Sequence, residues 1–174
     1  MVGGAAPSNR GWASLRHVHR RRQQRPIVVA GAETQLGRCV VEACAGRGIL
    51  THSLAPDATS ADPFAAFARG EEPWAVIDAR LDRTPITVAE RGTVARRAAA
   101  AAGWLAVACA SRNLPLVVVS SELVFDGGRA GHYVESDPVD PAEPVGHVHA
   151  AAEATVAAFE NLDAARKKLA AAGS

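Results

Sequence analysis

Apolar and polar positions along the chain follow two periods in alternation, and that alternation lays out the elements. Arg25-Pro26-Ile27-Val28-Val29-Ala30-Gly31 is a short β-branched run ending on glycine, the pattern of a strand buried on both faces. From Gln35 to Gly48 the spacing turns helical, with Leu36, Val40, Val41 and Cys44 on one face and Gly46 and Gly48 as the stop. Ile49–Leu54 reads as a second strand, and Asp62-Pro63 as the start of a helix reaching about Arg69, with proline at the first helical position. Trp74–Ala79 is a third strand, Thr93 to Arg112 a long alanine-rich helix, and Leu114–Ser120 a fourth strand. Residues 122–146 are rich in Gly, Pro and Asp and read as loop. A last helix is expected from Gly146 to Ala172, with Asp163 and Lys167 paired four apart and Gly173 as its cap. Strands alternating with helices in this rhythm predict a three-layer αβα arrangement around a short, mainly parallel sheet of about four strands.

Composition adds one division of the chain. The 174 residues fit one domain with a real core, and 48% hydrophobic against 21% charged residues is ordinary for a globular protein. A net charge of +1 gives the whole molecule no strong field towards nucleic acid or membrane. No apolar run approaches the roughly 20 residues that cross a bilayer, and no apolar segment suits a secretory signal, so a cytoplasmic protein is expected. Residues 1–25, however, hold Arg10, Arg16, Arg20, Arg21, Arg22 and Arg25 with His17 and His19 and no acid. They are expected to form a basic, disordered tail ahead of a domain at 26–174, or an arm that contacts nucleic acid or an acidic partner. Cys39, Cys44 and Cys109 have no metal-ligand spacing. Cys39 and Cys44 fall about 140° apart around a helix, so buried reduced thiols are the expectation.

The first strand is followed by Gly31-Ala32-Glu33-Thr34-Gln35-Leu36-Gly37. A strand, a tight glycine turn and a helix start together form a dinucleotide phosphate site, because backbone N–H groups and the helix dipole converge there. The spacing is G-x-x-G-x-x-G with Thr34 in the middle position, where a Cβ is expected to weaken or re-route phosphate binding. The same segment also fits a plain βα turn in a fold that no longer binds nucleotide. Leu54-Ala55-Pro56 offers neither the acid that grips a ribose nor an Arg for a 2′-phosphate, which leaves NAD against NADP open.

Val117-Val118-Val119-Ser120-Ser121-Glu122-Leu123-Val124-Phe125-Asp126-Gly127, then Tyr133-Val134-Glu135-Ser136-Asp137, is more specific. Together with the Gly31 turn, Gln35-Leu36-Gly37 and Trp74–Ala79, it resembles the extended short-chain dehydrogenases of the dTDP-4-dehydrorhamnose reductase type over about residues 26–155. The resemblance implies a Rossmann fold, NAD(P)H as hydride donor and a deoxysugar nucleotide as substrate. It implies cofactor contacts at Gly31, Ala32, Thr34, Gln35, Leu36, Gly37, Asp78, Ala79 and His149, and no metal. It further implies a carbonyl-holding hydroxyl at Ser121, a proton-donating Tyr and a Lys four residues on.

At that last motif the chain departs from the family. Pro141 and Gly146 set the register, which places Val145 at the Tyr position and His149 at the Lys position. Valine has no proton to give, and Tyr133 already matches the Y-x-E-x-D loop. His147 and His149 lie two apart on a helix and face nearly opposite ways, which disfavours a shared metal. The last helix ends near Ser174, so the C-terminal substrate region is expected to be missing and the sheet to keep an open edge after its fourth strand. That edge invites a second copy or a protein partner. The expectation is a catalytically degenerate family member that binds NAD(P), weakly or no longer, or binds a partner. Its alternatives are an active NAD(P)H-dependent reductase of a dTDP-4-keto-deoxysugar, and a structural subunit using its basic arm.

Overall fold

The computed structural model describes residues 25–54, 62–65, 67, 72–81 and 84–172, with side chains up to residue 160. Within them β1 (Ile27–Ala30), β2 (Thr51–Leu54), β3 (Ala75–Asp78) and β4 (Leu116–Val118) form one sheet in the order β2-β1-β3-β4. Every pairing is parallel, with Val28 beside His52 and Val76, and Ile77 beside Val117. The helices are α1 (Gln35–Ala45), α2 (Val88–Ala110) and α3 (Pro144–Ala172). The basic segment 1–24, Ala55-Pro56 and Gly173 lie outside the described residues, as does the Asp163–Lys167 side-chain pair.

The sheet is covered on both faces, which is why β1 is buried at all four positions. Val28, Ala30, Leu54 and Val76 pack with Phe64, Leu105 and Cys109 in one layer, while Ile27 and Val29 pack with Cys44, Val40 and Val41 of α1 in the other. Side chains alternate between the layers because the strand period is two. Gly103 lets α2 and α3 approach closely: a Cβ there would stand 3.1 Å from the Thr155 Cγ2 methyl and 3.3 Å from the Phe159 ring.

Five expectations need correction. The segment opening at Asp62 is a turn over its described residues, with Ala65 and Phe67 donating to the carbonyls three residues back. It is pinned by Phe64, 3% exposed in the core, by an Asp62 carboxylate that accepts from the Phe64 amide, and by Arg112, which pairs with Asp62 and lies over the Phe64 ring. Helix α2 starts five residues before Thr93, because Thr87 and Glu90 form a complete capping box. Leu36 is exposed rather than part of the apolar face of α1. Cys39 is exposed as well, whereas Cys44 and Cys109 are buried, and all three thiols are free. Helix α3 begins at Pro144, two residues before Gly146, as suits a proline at the first helical position.

Candidate functional site

The turn from β1 to α1 stands at the centre of the sheet, where β1 has β2 on one side and β3 on the other. Gly31 has φ +78°, and a Cβ there would lie 2.7 Å from backbone atoms of Ala79 and Arg80. Gly37 is tighter still, since its Cβ would lie 1.9 Å from the Gly31 carbonyl oxygen. These two contacts let the helix start close directly onto the strand ends. Thr34 is the N-cap of α1, in extended backbone, and its Oγ1 accepts from the Gly37 amide at 2.9 Å. The same oxygen lies 2.9 Å from the Gly31 carbonyl and 2.9 Å from the Ala79 carbonyl, so its proton serves the ends of β1 and β3. Arg38 donates back to the Glu33 carbonyl at 2.6 Å across the turn. Ala32 packs with the α1 layer, while Gln35 and Leu36 face outward in the first turn of the helix.

The end of β3 is organised internally. Asp78 is 4% exposed and accepts from Arg80 through Nε at 2.8 Å and Nη2 at 2.6 Å, and Arg80 Nη2 also donates to the Ala101 carbonyl of α2. The Asp78 carboxylate, two residues from Val76, therefore serves a buried ion pair against α2. Nearby, burial pushes the Cys109 thiol up to about 12, with the negative charge of Asp78 adding to the effect and Arg112 opposing it.

After β4, Ser121 caps a 3₁₀ turn over Glu122–Val124: its Oγ accepts from the Leu123 amide and donates to Glu122 Oε2 at 2.9 Å. The loop beyond is held by Tyr133, whose ring stacks on Phe125 at 4.4 Å and 9°. The Tyr133 hydroxyl donates to Asp126 Oδ1 at 2.6 Å and accepts from the Arg129 amide. That hydrogen bond, followed by one from the Gly128 amide, holds the Asp126 carboxyl below its ordinary 3.8. A depressed carboxyl stabilises the loop fully above the unfolded value and ceases to as pH falls through the folded one. Tyr133→Phe is therefore expected to raise the Asp126 pKa and to flatten the acid-side pH dependence of the loop. Carbon-detected NMR titration of Asp126 measures this, and an unchanged midpoint would contradict it. Asp137 is likewise held low, first by the Val134 amide and then by Arg129.

At the start of α3, Gly146 sits so close to the loop that a Cβ would be 2.0 Å from the Leu123 carbonyl oxygen. Val145 is half-buried, His147 Nε2 lies 3.4 Å from Arg91 Nη1, and His149 is 2% exposed. A cleft of about 500 Å³ opens beside Ser120 and Ser121, with Glu122, Phe125, Glu135, Asp137 and Glu153 on its walls. Of the residues expected at the chemical end of the site, Ser121 lines this cleft, while neither Val145 nor His149 does. The four carboxylates of the cleft come from the turn, the loop and α3; Glu135 and Asp137 belong to the Y-x-E-x-D motif, but no sequence spacing brings Glu122 and Glu153 to them. The Asp78–Arg80 pair is also beyond sequence reading, because only the depth of β3 makes it matter.

The chain resembles solved structures of nucleotide-sugar enzymes. It is 24% identical to a dTDP-4-dehydrorhamnose reductase from Clostridium acetobutylicum, covering 77% of this chain and 49% of that one with a TM-score of 0.63. A dTDP-4-dehydrorhamnose reductase from Bacillus anthracis, solved with NADP, gives 22% identity, 78% and 50% coverage and a TM-score of 0.62. MoeE5, solved with UDP-glucose and NAD, gives 22% identity, 77% and 48% coverage and a TM-score of 0.62. The chain thus spans about half the length of these enzymes. No curated protein sequence matches it significantly. The profile of the RmlD substrate binding domain family matches residues 25–166, most of the 174, and the chain belongs to that family.

Proposed function

We propose that this chain is a non-catalytic member of its family that binds a nicotinamide dinucleotide through the β1–α1 turn. The observation that carries the reading is the contrast between that turn and the start of α3. Gly31 and Gly37 are packed so that any side chain would collide with backbone, which keeps the tight turn and the close strand–helix approach that a dinucleotide turn needs. The amides of Gln35 and Leu36, in the first turn of α1, have no intrahelical acceptor and would hold the phosphates. When bound, NADH or NADPH supplies a hydride. Reducing a carbonyl also requires a proton at the oxygen, and the position that carries the donor in the family holds Val145. Tyr133, the only tyrosine, is engaged with Asp126 and stacked on Phe125. Solved relatives with NADP and with NAD support the choice of ligand.

The test is titration of NADH and NADPH against the purified protein, followed by a turnover assay with a dTDP-4-keto-deoxysugar. Binding of one dinucleotide without its oxidation is the expected result, whereas steady substrate-dependent oxidation would overturn the reading. A second reading rests on β4, which is an outer strand among the described residues. Val117 there is 54% exposed, and Val107, Leu114, Leu116, Val156 and Phe159 line a groove of about 450 Å³ alongside. A protein partner or a second copy on that edge would make the chain a scaffold, with residues 1–24 as a basic arm. A mass measurement showing monomers, with and without that arm, would count against it.

A further inference from the structure

We propose that the apolar groove beside β4 seats this chain's own N-terminal segment, held there by Trp12, Leu15 and Val18. This seat is independent of the dinucleotide turn and stands at the opposite end of the strands. The groove, about 450 Å³, lies between the C-terminal end of α2, the start of β4 and α3. Leu114, Leu116, Val156 and Phe159 line it, and Val107 on its wall is 50% exposed. Trp74, 43% exposed, extends the apolar surface towards β1. Val76 pairs with Leu116, so two residues earlier Trp74 and Leu114 fall in one row on the face that α2 covers. The chain enters the sheet at this same end. Arg25 is anchored there, its Nε donating to the Glu72 carbonyl at 2.6 Å and its Nη2 to the Pro73 carbonyl at 2.8 Å. The Trp74 amide in turn donates to the Pro26 carbonyl. Only β3 stands between β1 and β4, so the entry point is two strand spacings, about 10 Å, from the groove. Val18 precedes Arg25 by seven residues, a stretch that spans up to roughly 24 Å. Trp12, Leu15 and Val18 recur every third residue, the kind of spacing with which one face of a helix lays into an apolar groove. Among the described residues lining the groove the one charged side chain is Glu160, whereas residues 1–24 carry five arginines and no acid. On so short a connection the segment's effective concentration is on the order of millimolar, which a second copy or a foreign peptide at micromolar concentration does not match.

Limited trypsin digestion of the full-length protein reads the docking, because Arg16 lies between Leu15 and Val18. Wild type is compared with Val107→Asp in the groove and Trp12→Ser in the segment. The control is Val88→Asp, which puts the same charge on an exposed residue about 28 Å away along α2. Cleavage after Arg16 is expected to be about tenfold faster in Val107→Asp and in Trp12→Ser, the change from a segment seated about nine-tenths of the time to one unseated. Val88→Asp should match wild type, and the protection in wild type should persist on dilution. Trp12→Ser alters no residue of the described domain, so it reads the docking even where Val107→Asp lowers stability. Equal rates in wild type and Trp12→Ser would overturn the proposal. Protection that is lost on dilution would assign the groove to a second copy, and acceleration in Val107→Asp without acceleration in Trp12→Ser would assign it to another occupant; either overturns it.

Discussion

Gly37→Ala is expected to cost on the order of 3 kcal/mol or more of folding stability and to abolish dinucleotide binding. The added methyl would lie 1.9 Å from the Gly31 carbonyl oxygen and 2.8 Å from the Ala32 Cα, both backbone atoms with no rotamer to change. Relief requires α1 to lift away from β1. That movement would break the hydrogen bonds of Thr34 to Gly31, Ala79 and Gly37 and open the layer that Val40, Val41 and Cys44 form with Ile27 and Val29. For a domain of this size the loss corresponds to a melting temperature lower by roughly 6–12 °C. Gly46→Ala is the matched control, since its Cβ would meet nothing nearer than 3.5 Å and its backbone is already helical. It is expected to stay within about 0.5 kcal/mol of wild type or to gain slightly. Melting curves of the two variants side by side test the claim, and equal melting temperatures would refute it.

Asp78→Ala should destabilise the protein by about 3–5 kcal/mol, because it leaves the Arg80 guanidinium buried without its counter-charge. The side chains are 5% and 15% exposed, so water screens the pair little and does not replace the lost carboxylate. The Ala101 carbonyl offers Arg80 one remaining acceptor, too few for a charged fork. Asp78→Ala combined with Arg80→Met removes both charges and fills the space with an apolar chain, and should recover to within about 1 kcal/mol of wild type. Denaturant unfolding of the single and double variants decides the matter. A double variant as unstable as the single would show that the two side chains contribute packing rather than charge compensation.

The parts of the fold that periodicity controls were readable from the residues. Ile27–Ala30 shows itself as a doubly covered strand because it holds no polar residue, and the two-period pattern of Val76 and Asp78 belongs to a strand wherever it lies. Element starts were less readable, since they depend on single caps: Thr87-Val88-Ala89-Glu90 carries the capping-box signature, yet an alanine-rich stretch draws attention to its middle. The segment after Asp62 reads as a helix by composition but is a turn over its described residues, because burying Phe64 under Arg112 outweighs local propensity. At the candidate site, the replacement of Tyr and Lys by Val145 and His149 is visible in the residue order alone. What Thr34 does is not, because its partner Ala79 is distant in sequence and only the sheet brings the carbonyl to the hydroxyl. The acidic character of the cleft beside Ser121 has the same origin, with Glu153 one full element away from Glu122.

The stacking of Tyr133 on Phe125 has an experimental consequence. Since the chain contains one tyrosine, every phenol signal of the protein originates in a single loop beside the cleft. Ultraviolet difference absorbance on alkaline titration, nitration yield and the tyrosine ring resonances thus report the surroundings of residues 125–137 without any label. The described tryptophans, Trp74 and Trp104, lie elsewhere, one beside the start of β3 and one packed against the core from α2, so these two indoles and the phenol watch separate regions of the molecule.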